Sequence, residues 1–326
     1  MAISLLIGII IFAVVLKYFG LESVKIIYHN INPFYLFLYA LVTTSIFFIN
    51  ALRLKIILKA HREKVSLFRL FRQNIAGFSM AYITPAVNLG GEPVKAYMLK
   101  KECNINLRVG SSAIILDKFV EIIGTIFVGF IGLIILMTIP GVPMGVKYGL
   151  AGITFGGAAI LYYFYHRTIK KKGSFSSLYN LLKFYKITKW KSLLKILEDV
   201  ELKMHRFFIF HKKEFLISFL IYIVYFIVNI IEFKFLFLSF GVSLTISEII
   251  LTIVVLGLVN FIPIPAALGF FEASQSGLFK LLKDSAGTGL AFSLIVRLRN
   301  VIFTAIGFGI ISQFSGEQII NKQEKR

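Results

Sequence analysis

The sequence is short of the residues on which most soluble enzymes and metal proteins depend. Only 16% of its 326 residues are charged, and acids are the scarcest, with 16 Asp and Glu against 36 Lys and Arg. One cysteine excludes a disulfide within the chain and any site built from several cysteines. The five histidines show no metal-ligand spacing, and the sequence contains no G-x-S-x-G motif and no P-loop. We therefore predict no metal, no cofactor and no enzymatic activity.

Hydrophobic residues take the place of the missing charges. They make up 57% of the chain, which includes 34 Phe and has a mean hydropathy of +0.82. The net charge of +20 is carried by basic residues between the apolar runs, which is the distribution that the positive-inside rule describes. We therefore expect an all-α, polytopic membrane protein and no nucleic-acid partner.

Six apolar stretches are long enough to predict full crossings of a bilayer. They are residues 1–16, 31–52, 109–139, 145–165, 215–239 and 289–314. The first stretch lacks a basic leader and a small-residue cleavage site, so we interpret it as a retained helix and not as a signal peptide. The chain is expected to form a single membrane domain over residues 1–326.

The basic segments predict the orientation. A run from Arg53 to Arg72 holds seven basic residues and one acid, which predicts that this run is cytoplasmic. In a multi-pass protein of the cell membrane, this orientation predicts that both termini are cytoplasmic as well. Residues 166–214 form a basic cytoplasmic linker between two halves. Within it, Trp190, Leu193, Leu194 and Leu197 have the spacing of an amphipathic helix suited to anionic lipid headgroups.

Two apolar segments are interrupted by proline and glycine. The charge-free run 73–91 continues into the motif P-A-V-N-L-G-G-E, which ends at Glu92, and residues 249–271 continue into P-A-A-L-G-F-F-E; in both motifs, Pro precedes Glu by seven positions. Such pairs are typical of transporters built from two related halves. We predict two re-entrant elements of opposite orientation, as an inverted repeat would produce. Seven or eight crossings remain the alternative, in which residues 249–262 cross by themselves.

Ionisable side chains inside apolar helices are the candidate functional residues, because each costs roughly 2.5–3.5 kcal/mol at a helix centre. Asp117 and Glu121 are four residues apart and share a helix face, and Lys118 is placed to pair with Glu121. Arg297 and Arg299 are two residues apart, so their side chains are expected to diverge. In the alternative interpretation, the group from Asp117 to Glu121 lies near the interface and is solvated.

Gly90-Gly91-Glu92-Pro93 predicts a helix start. Free backbone N–H groups at such a start attract anions, the glycines allow close approach of a phosphate, and Lys95 lies in the first turn. Glu92 has three alternative roles: capping the helix, pairing with Lys95, or carrying a proton. A capped helix with no ligand is the simplest alternative.

At four places the sequence resembles a known family, the transmembrane, flippase-like region of lysylphosphatidylglycerol synthases. The places are G-G-E-P-V-K-A-Y-M-L at Gly90–Leu99, L-D-K-F-V-E at Leu116–Glu121, P-I-P-A-A-L-G-F-F-E-A at Pro263–Ala273, and Arg297 in the last helix. Lys95 and Lys118 stand where the family usually has Arg, and Ala266 and Ala267 stand where it has glycine. Because lysine offers a point charge where arginine offers a planar fork, phosphate recognition is expected to be weaker at those two positions.

The resemblance implies a lipid transporter without an aminoacyl-transferase domain. Its substrate would be an anionic, aminoacylated or polyprenyl-linked membrane lipid. The substrate-binding residues predicted on both grounds are Gly90, Gly91, Glu92, Lys95, Asp117, Lys118, Glu121, Glu272, Arg297 and Arg299. Homodimer formation is left open.

Two alternatives belong to other classes. In the first, the chain is a membrane enzyme or accessory subunit acting on a polyprenyl phosphate, with Asp117, Glu121 and Glu92 holding a divalent ion or acting as a base. In the second, it is a scaffold whose basic linker binds a partner or anionic lipids.

Overall fold

The fold is all-helical. The computed structural model describes residues 10–18, 20, 23, 25–26, 28, 31–84, 90–139, 142–170, 190–260, 262–283 and 285–323, with the side chains of 190–197 and 315–323 left out. Within these ranges every regular element is a helix. In chain order they are α1 Pro33–Ala60, α2 Leu67–Ile83, α3 Glu92–Glu102, α4 Leu107–Thr138, α5 Met144–Ile169, α6 Trp190–Phe210, α7 Lys212–Ser239, α8 Ile246–Val259, a 3-10 turn Pro265–Ala267, α9 Phe270–Lys283 and α10 Ala286–Gln323.

Five of the described helices are long and apolar enough to cross a membrane: α1, α4, α5, α7 and the part of α10 up to Phe314. They coincide with five of the six predicted crossings. The remaining predicted crossing, residues 1–16, lies mainly outside the described residues, although residues 10–18 are helical.

Many large apolar side chains are exposed, and several charged side chains are fully buried. On α5, Ile160 and Tyr162 are 73% and 68% exposed, whereas Arg53, Glu232 and Glu272 are at most 2% exposed. A water-soluble protein has the reverse arrangement, because burial of apolar surface stabilises its fold and charges are seldom fully buried. The chain is an all-α polytopic membrane protein.

The chain divides into two compact units. The first unit comprises residues 1–48, 71–95 and 225–326, and the second comprises residues 49–70 and 96–224. The core of the first unit is aromatic: the rings of Phe237 and Phe292 stack with centroids 4.9 Å apart, and Phe233 meets Phe292 edge to face. Aromatic pairs of this kind contribute about 0.5–1.5 kcal/mol beyond the area that they bury.

In the second unit α6 packs against α4 and α5. Val200, Met204 and Phe207, spaced four and three residues apart, form its buried face, and His205 Nδ1 lies 3.1 Å from the Thr168 carbonyl oxygen. The later half of the predicted amphipathic linker helix therefore packs into the protein. Residues 171–189 and the side chains of 190–197 lie outside the described part, so binding of lipid headgroups there stays a prediction.

Helices α2 and α3 form a first hairpin. Gly91 lies directly against the backbone of Gly77 on α2, with no room for a side chain between them. At the other end of the hairpin, Arg69 Nη1 donates to the carbonyl oxygen of Glu102 over 3.2 Å. The predicted interruption after residue 83 is therefore present, and the chain folds back along itself.

Helices α8 and α9 form a second hairpin around the 3-10 turn. Lys283 Nζ at the end of α9 lies 2.8 Å from Glu248 Oε1 at the start of α8, so the chain leaves and returns at one level. At the turn, Ala266 and Ala267 have φ of 54° and 47°. This left-handed region favours glycine, the residue that stands at these positions in the resembled family, and it costs an alanine about 1–2 kcal/mol.

Candidate functional site

Arg297 of α10 bonds to both hairpins, at the last helical turn of α2 and at the interruption of the second hairpin. Its Nε donates to Glu272 Oε1 over 2.5 Å, and its Nη1 donates to the Tyr82 hydroxyl over 3.1 Å and to the Ala266 carbonyl oxygen over 3.4 Å. Tyr82 belongs to the last turn of α2, Ala266 to the interruption of the second hairpin, and Glu272 to the first turn of α9. All of these residues lie in the first unit, so one guanidinium joins both interrupted elements.

Glu272 has a structural role besides its ion pair. It is fully buried, and its Oε2 accepts a hydrogen bond of 2.8 Å from the backbone N–H of Gly269. A carboxylate that reaches back to the residue before a helix satisfies one of the free N–H groups there. This accounts for the acid that follows the second interruption, Glu272.

Arg299 lies two residues after Arg297 and has a different partner. Its Nη1 donates to Glu232 Oε1 on α7 over 2.5 Å, and the Thr43 hydroxyl donates to the same oxygen over 2.6 Å. Its Nε and Nη2 both donate to the side-chain oxygen of Asn300, over 3.0 and 2.9 Å. The prediction that the two arginines diverge is confirmed. Glu232 is a partner that sequence reasoning missed; its signal was a single acid within the apolar stretch 215–239.

The helix start at Gly90-Gly91 is packed tightly. A side chain at Gly90 would meet Thr84, and the space beside Gly91 is filled by the Gly77 backbone. Glu92 Oε2 lies 3.5 Å from Lys95 Nζ, so the predicted pairing is present. These contacts give the glycines a role in helix packing, and an anion cradle there stays a prediction that the packing does not support.

The predicted charges of α4 form a network in the second unit. Arg53 binds Asp117 through two hydrogen bonds, Nε to Oδ1 over 2.6 Å and Nη2 to Oδ2 over 3.1 Å, and its Nη2 lies 3.4 Å from Glu121 Oε2. Lys118 Nζ donates to Glu121 Oε1 over 2.8 Å, as predicted. The guanidinium also lies over the ring of Tyr222, 6.0 Å from its centroid. Two bases and two acids leave this network electrically neutral.

Arg53 has a buried partner that the sequence does not predict. It belongs to the basic run Arg53 to Arg72, and the cytoplasmic position of that run stays a prediction. In the structure its side chain is 3% exposed, and that of its partner Asp117 is 9% exposed. The solvated alternative therefore does not hold for Asp117. Because desolvation makes an unpaired charge costly, the bidentate bond is what allows both groups to be buried.

A partly buried histidine of the second unit, His61, lies outside the membrane-spanning helices. The His61 ring stacks near Phe207, with centroids 6.3 Å apart, and Phe207 stacks in turn near His211. Burial, followed by the charges of His211 and Lys203, lowers the pKa of His61 to about 4. The ring is therefore neutral at physiological pH.

The buried arginine–carboxylate pairs in apolar helices define a polytopic membrane protein with a charged interior. The family of the lysylphosphatidylglycerol synthase TM region matches residues 1–307. The chain belongs to this family, which confirms the predicted resemblance.

A curated relative supports the assignment. A UPF0104 membrane protein of Methanothermobacter thermautotrophicus is 26% identical over 133 residues. The alignment covers 41% of this chain and 39% of the relative, so the chain spans about two fifths of the relative's length. No solved structure matches the chain.

Proposed function

We propose that the protein moves an anionic, aminoacylated or polyprenyl-linked lipid between the leaflets of the cell membrane. The observation that carries this proposal is the bonding of Arg297 to both hairpin turns, through Tyr82 and Ala266, with Glu272 completing the site. Interrupted helices that meet around charged groups are how many transporters form a binding site at membrane depth. Membership of the family agrees with a lipid as the transported molecule.

We propose further that both hairpins are re-entrant. Helices α8 and α9 have 14 residues each, which makes each about 21 Å long and shorter than the ~30 Å hydrocarbon layer. The ends of each hairpin are tied together, by Lys283 and Glu248 in the second and by Arg69 and Glu102 in the first. The positive-inside rule supports cytoplasmic termini.

The Arg297 site has a donor left for a headgroup. Its Nη2 makes an ion-pair contact with Glu272 but has hydrogen-bond geometry with no atom in the described part of the chain. A guanidinium nitrogen that makes an ion-pair contact but no hydrogen bond suits a phosphate oxygen, because charge-assisted hydrogen bonds are about twice as strong as neutral ones. The headgroup would bind at the hairpin turns while its acyl chains stay in the bilayer.

The enzymatic alternative has less support. It required open carboxylates, yet Asp117 and Glu121 are held by Arg53 and Lys118, and Glu92 is paired with Lys95. Carboxylates that already accept hydrogen bonds from cations lose those partners if they bind a metal ion. We therefore favour transport.

The test is lipid translocation in proteoliposomes. Purified protein is reconstituted with a panel of lipids of each named headgroup class, and the rate at which headgroups become accessible to a membrane-impermeant reagent is measured. The double variant Arg297→Gln/Glu272→Gln removes the ion pair while preserving net charge. Arg108→Gln is the control, since that side chain is 57% exposed and pairs on the surface with Asp199.

We expect the wild-type protein and the control to accelerate translocation of at least one anionic, aminoacylated or polyprenyl-linked lipid, and the double variant to lose the acceleration. A wild-type protein that accelerates none of the panel, or a double variant as fast as wild type, would overturn the proposal.

A further inference from the structure

One buried carboxylate of the first unit is bonded on one side only. Glu232 is 1% exposed, and its Oε1 accepts hydrogen bonds from Arg299 and Thr43. Its Oε2 is buried and has no hydrogen-bond partner in the described ranges of the chain. A buried carboxylate oxygen without a donor loses its hydration and gains nothing in return, so such an atom needs an explanation.

Glu272 provides the comparison within the same unit. Its Oε1 bonds to Arg297, and its Oε2 accepts the backbone N–H of Gly269. A proton on Glu272 would occupy an oxygen that already accepts one of these bonds and would weaken that bond. A proton on Glu232 Oε2 breaks none, because Arg299 and Thr43 keep the opposite oxygen. Of these two carboxylates, only Glu232 has an oxygen that accepts no hydrogen bond from the described residues.

We propose that Glu232 is a proton-binding site inside the membrane, with Oε2 as the atom that takes up and releases the proton. The groups that face it are the Arg299 guanidinium from α10 and the ring of Tyr39 from α1. Tyr225 on α7 interacts electrostatically with Arg299. The Tyr39 hydroxyl is likewise buried, beside Arg299 and Thr43. The proton comes from water and returns to water, so the step needs no other reactant.

Proton binding at Glu232 can be coupled to lipid transport, and this coupling rests on the proposed function. With Glu232 ionised, its charge and that of Arg299 cancel. With Glu232 protonated, the guanidinium keeps a neutral amide partner, Asn300, and one positive charge is left uncompensated at membrane depth. Such a charge is costly until an anion neutralises it. Binding of one proton therefore favours binding of one negative headgroup charge, and the two move together without net charge.

Proton binding is tested first, by infrared difference spectroscopy on the reconstituted protein. The carboxylic-acid C=O stretch is followed as the buffer is changed from mildly alkaline to acidic. Two matched variants each remove one ion pair: Glu232→Gln/Arg299→Gln and Glu272→Gln/Arg297→Gln. Replacing both partners together avoids an uncompensated buried charge, so both variants are expected to fold.

We expect a band of a buried protonated carboxyl that the Glu232 double variant lacks and the Glu272 double variant keeps. A band retained in the Glu232 double variant, or no titrating band in the wild type, would overturn the proposal. Arg299→Gln alone gives an independent reading, because an unpaired buried carboxylate takes up a proton and the band should persist in alkaline buffer. A band that still disappears there would contradict the assignment to Glu232.

Coupling is tested second, with a pH-sensitive dye inside proteoliposomes that contain an anionic lipid in one leaflet. We expect translocation to be accompanied by proton movement in the wild type, and to proceed without it in the Glu232 double variant. Proton movement retained in that variant would refute the coupling. Failure of the proposed function is recognisable separately, since the infrared band would then titrate without any lipid movement.

Discussion

The ion pair between Arg297 and Glu272 makes the sharpest prediction about stability. Each single substitution, Arg297→Gln or Glu272→Gln, leaves the other charge buried without a counter-charge. Removal of one partner of a buried pair costs about 3–5 kcal/mol. Glu272 is fully buried and the Arg297 side chain is 15% exposed, so solvent screens the pair little.

The double variant Arg297→Gln/Glu272→Gln should lose far less stability than either single variant. Glutamine at 272 keeps a carbonyl oxygen for the Gly269 N–H, so the helix start is preserved. Replacing both members of a buried pair is often nearly neutral, and we expect a loss of no more than about 1–2 kcal/mol. The pairwise coupling energy from the cycle is then at least about 4 kcal/mol.

The assay is thermal unfolding in mild detergent with a thiol-reactive dye. Cys103 is the only cysteine of the chain and is partly buried, so it reports the loss of structure. Unfolding free energies of the wild type, both single variants and the double variant complete the cycle. If the double variant loses the sum of the two single effects, the residues do not act as a buried pair and the reasoning fails.

Three further predictions use the same unfolding assay. Gly91→Ala should lower the free energy of unfolding by about 1–3 kcal/mol, because a methyl group would overlap the backbone of α2. Gly156→Ala is the control and should cost nothing, because Gly156 faces open space on α5. Equal effects of the two substitutions would refute the close packing at Gly91. Ala266→Gly should stabilise by about 0.5–1 kcal/mol, since relief of the left-handed strain exceeds the entropy that glycine adds to the unfolded chain; a loss of stability would show that the turn is unstrained. The pKa of His61 is lowered to about 4 in the folded protein, so the histidine binds a proton more readily in the unfolded chain. The free energy of unfolding should therefore fall by about 2 kcal/mol from about pH 7 to about pH 5. A His61→Phe variant with the same pH dependence would contradict this assignment.

The helices and their interruptions could be predicted from the sequence because they depend on local chemistry. An apolar run longer than the hydrocarbon layer predicts a crossing whatever surrounds it, which is why α1, α4, α5, α7 and α10 agree with their predicted stretches. Proline and glycine likewise end a helix by their own backbone properties, and both interruptions lie where expected.

The partners of the charges could not be predicted, because they come from distant parts of the chain. Arg53 looked like one more member of a cytoplasmic basic run, yet it bonds to Asp117, 64 positions away. Glu232 is 67 positions from Arg299. Spacing on one helix correctly paired Lys118 with Glu121, but no periodicity reports contacts between helices. The left-handed conformation of Ala266 could not be predicted either, because alanine does not by itself indicate a left-handed turn.

The claim that lipid headgroups bind at the two hairpin turns is tested most directly by photolabelling. A lipid with a photoreactive headgroup, of the class that the translocation panel identifies, is crosslinked to the reconstituted protein, and the labelled peptides are mapped by mass spectrometry. We predict labelling of the peptides that contain Tyr82, Ala266 and Arg297, and its loss in Arg297→Gln/Glu272→Gln. Labelling confined to the basic linker, residues 166–214, with none at the hairpin turns, would contradict the account.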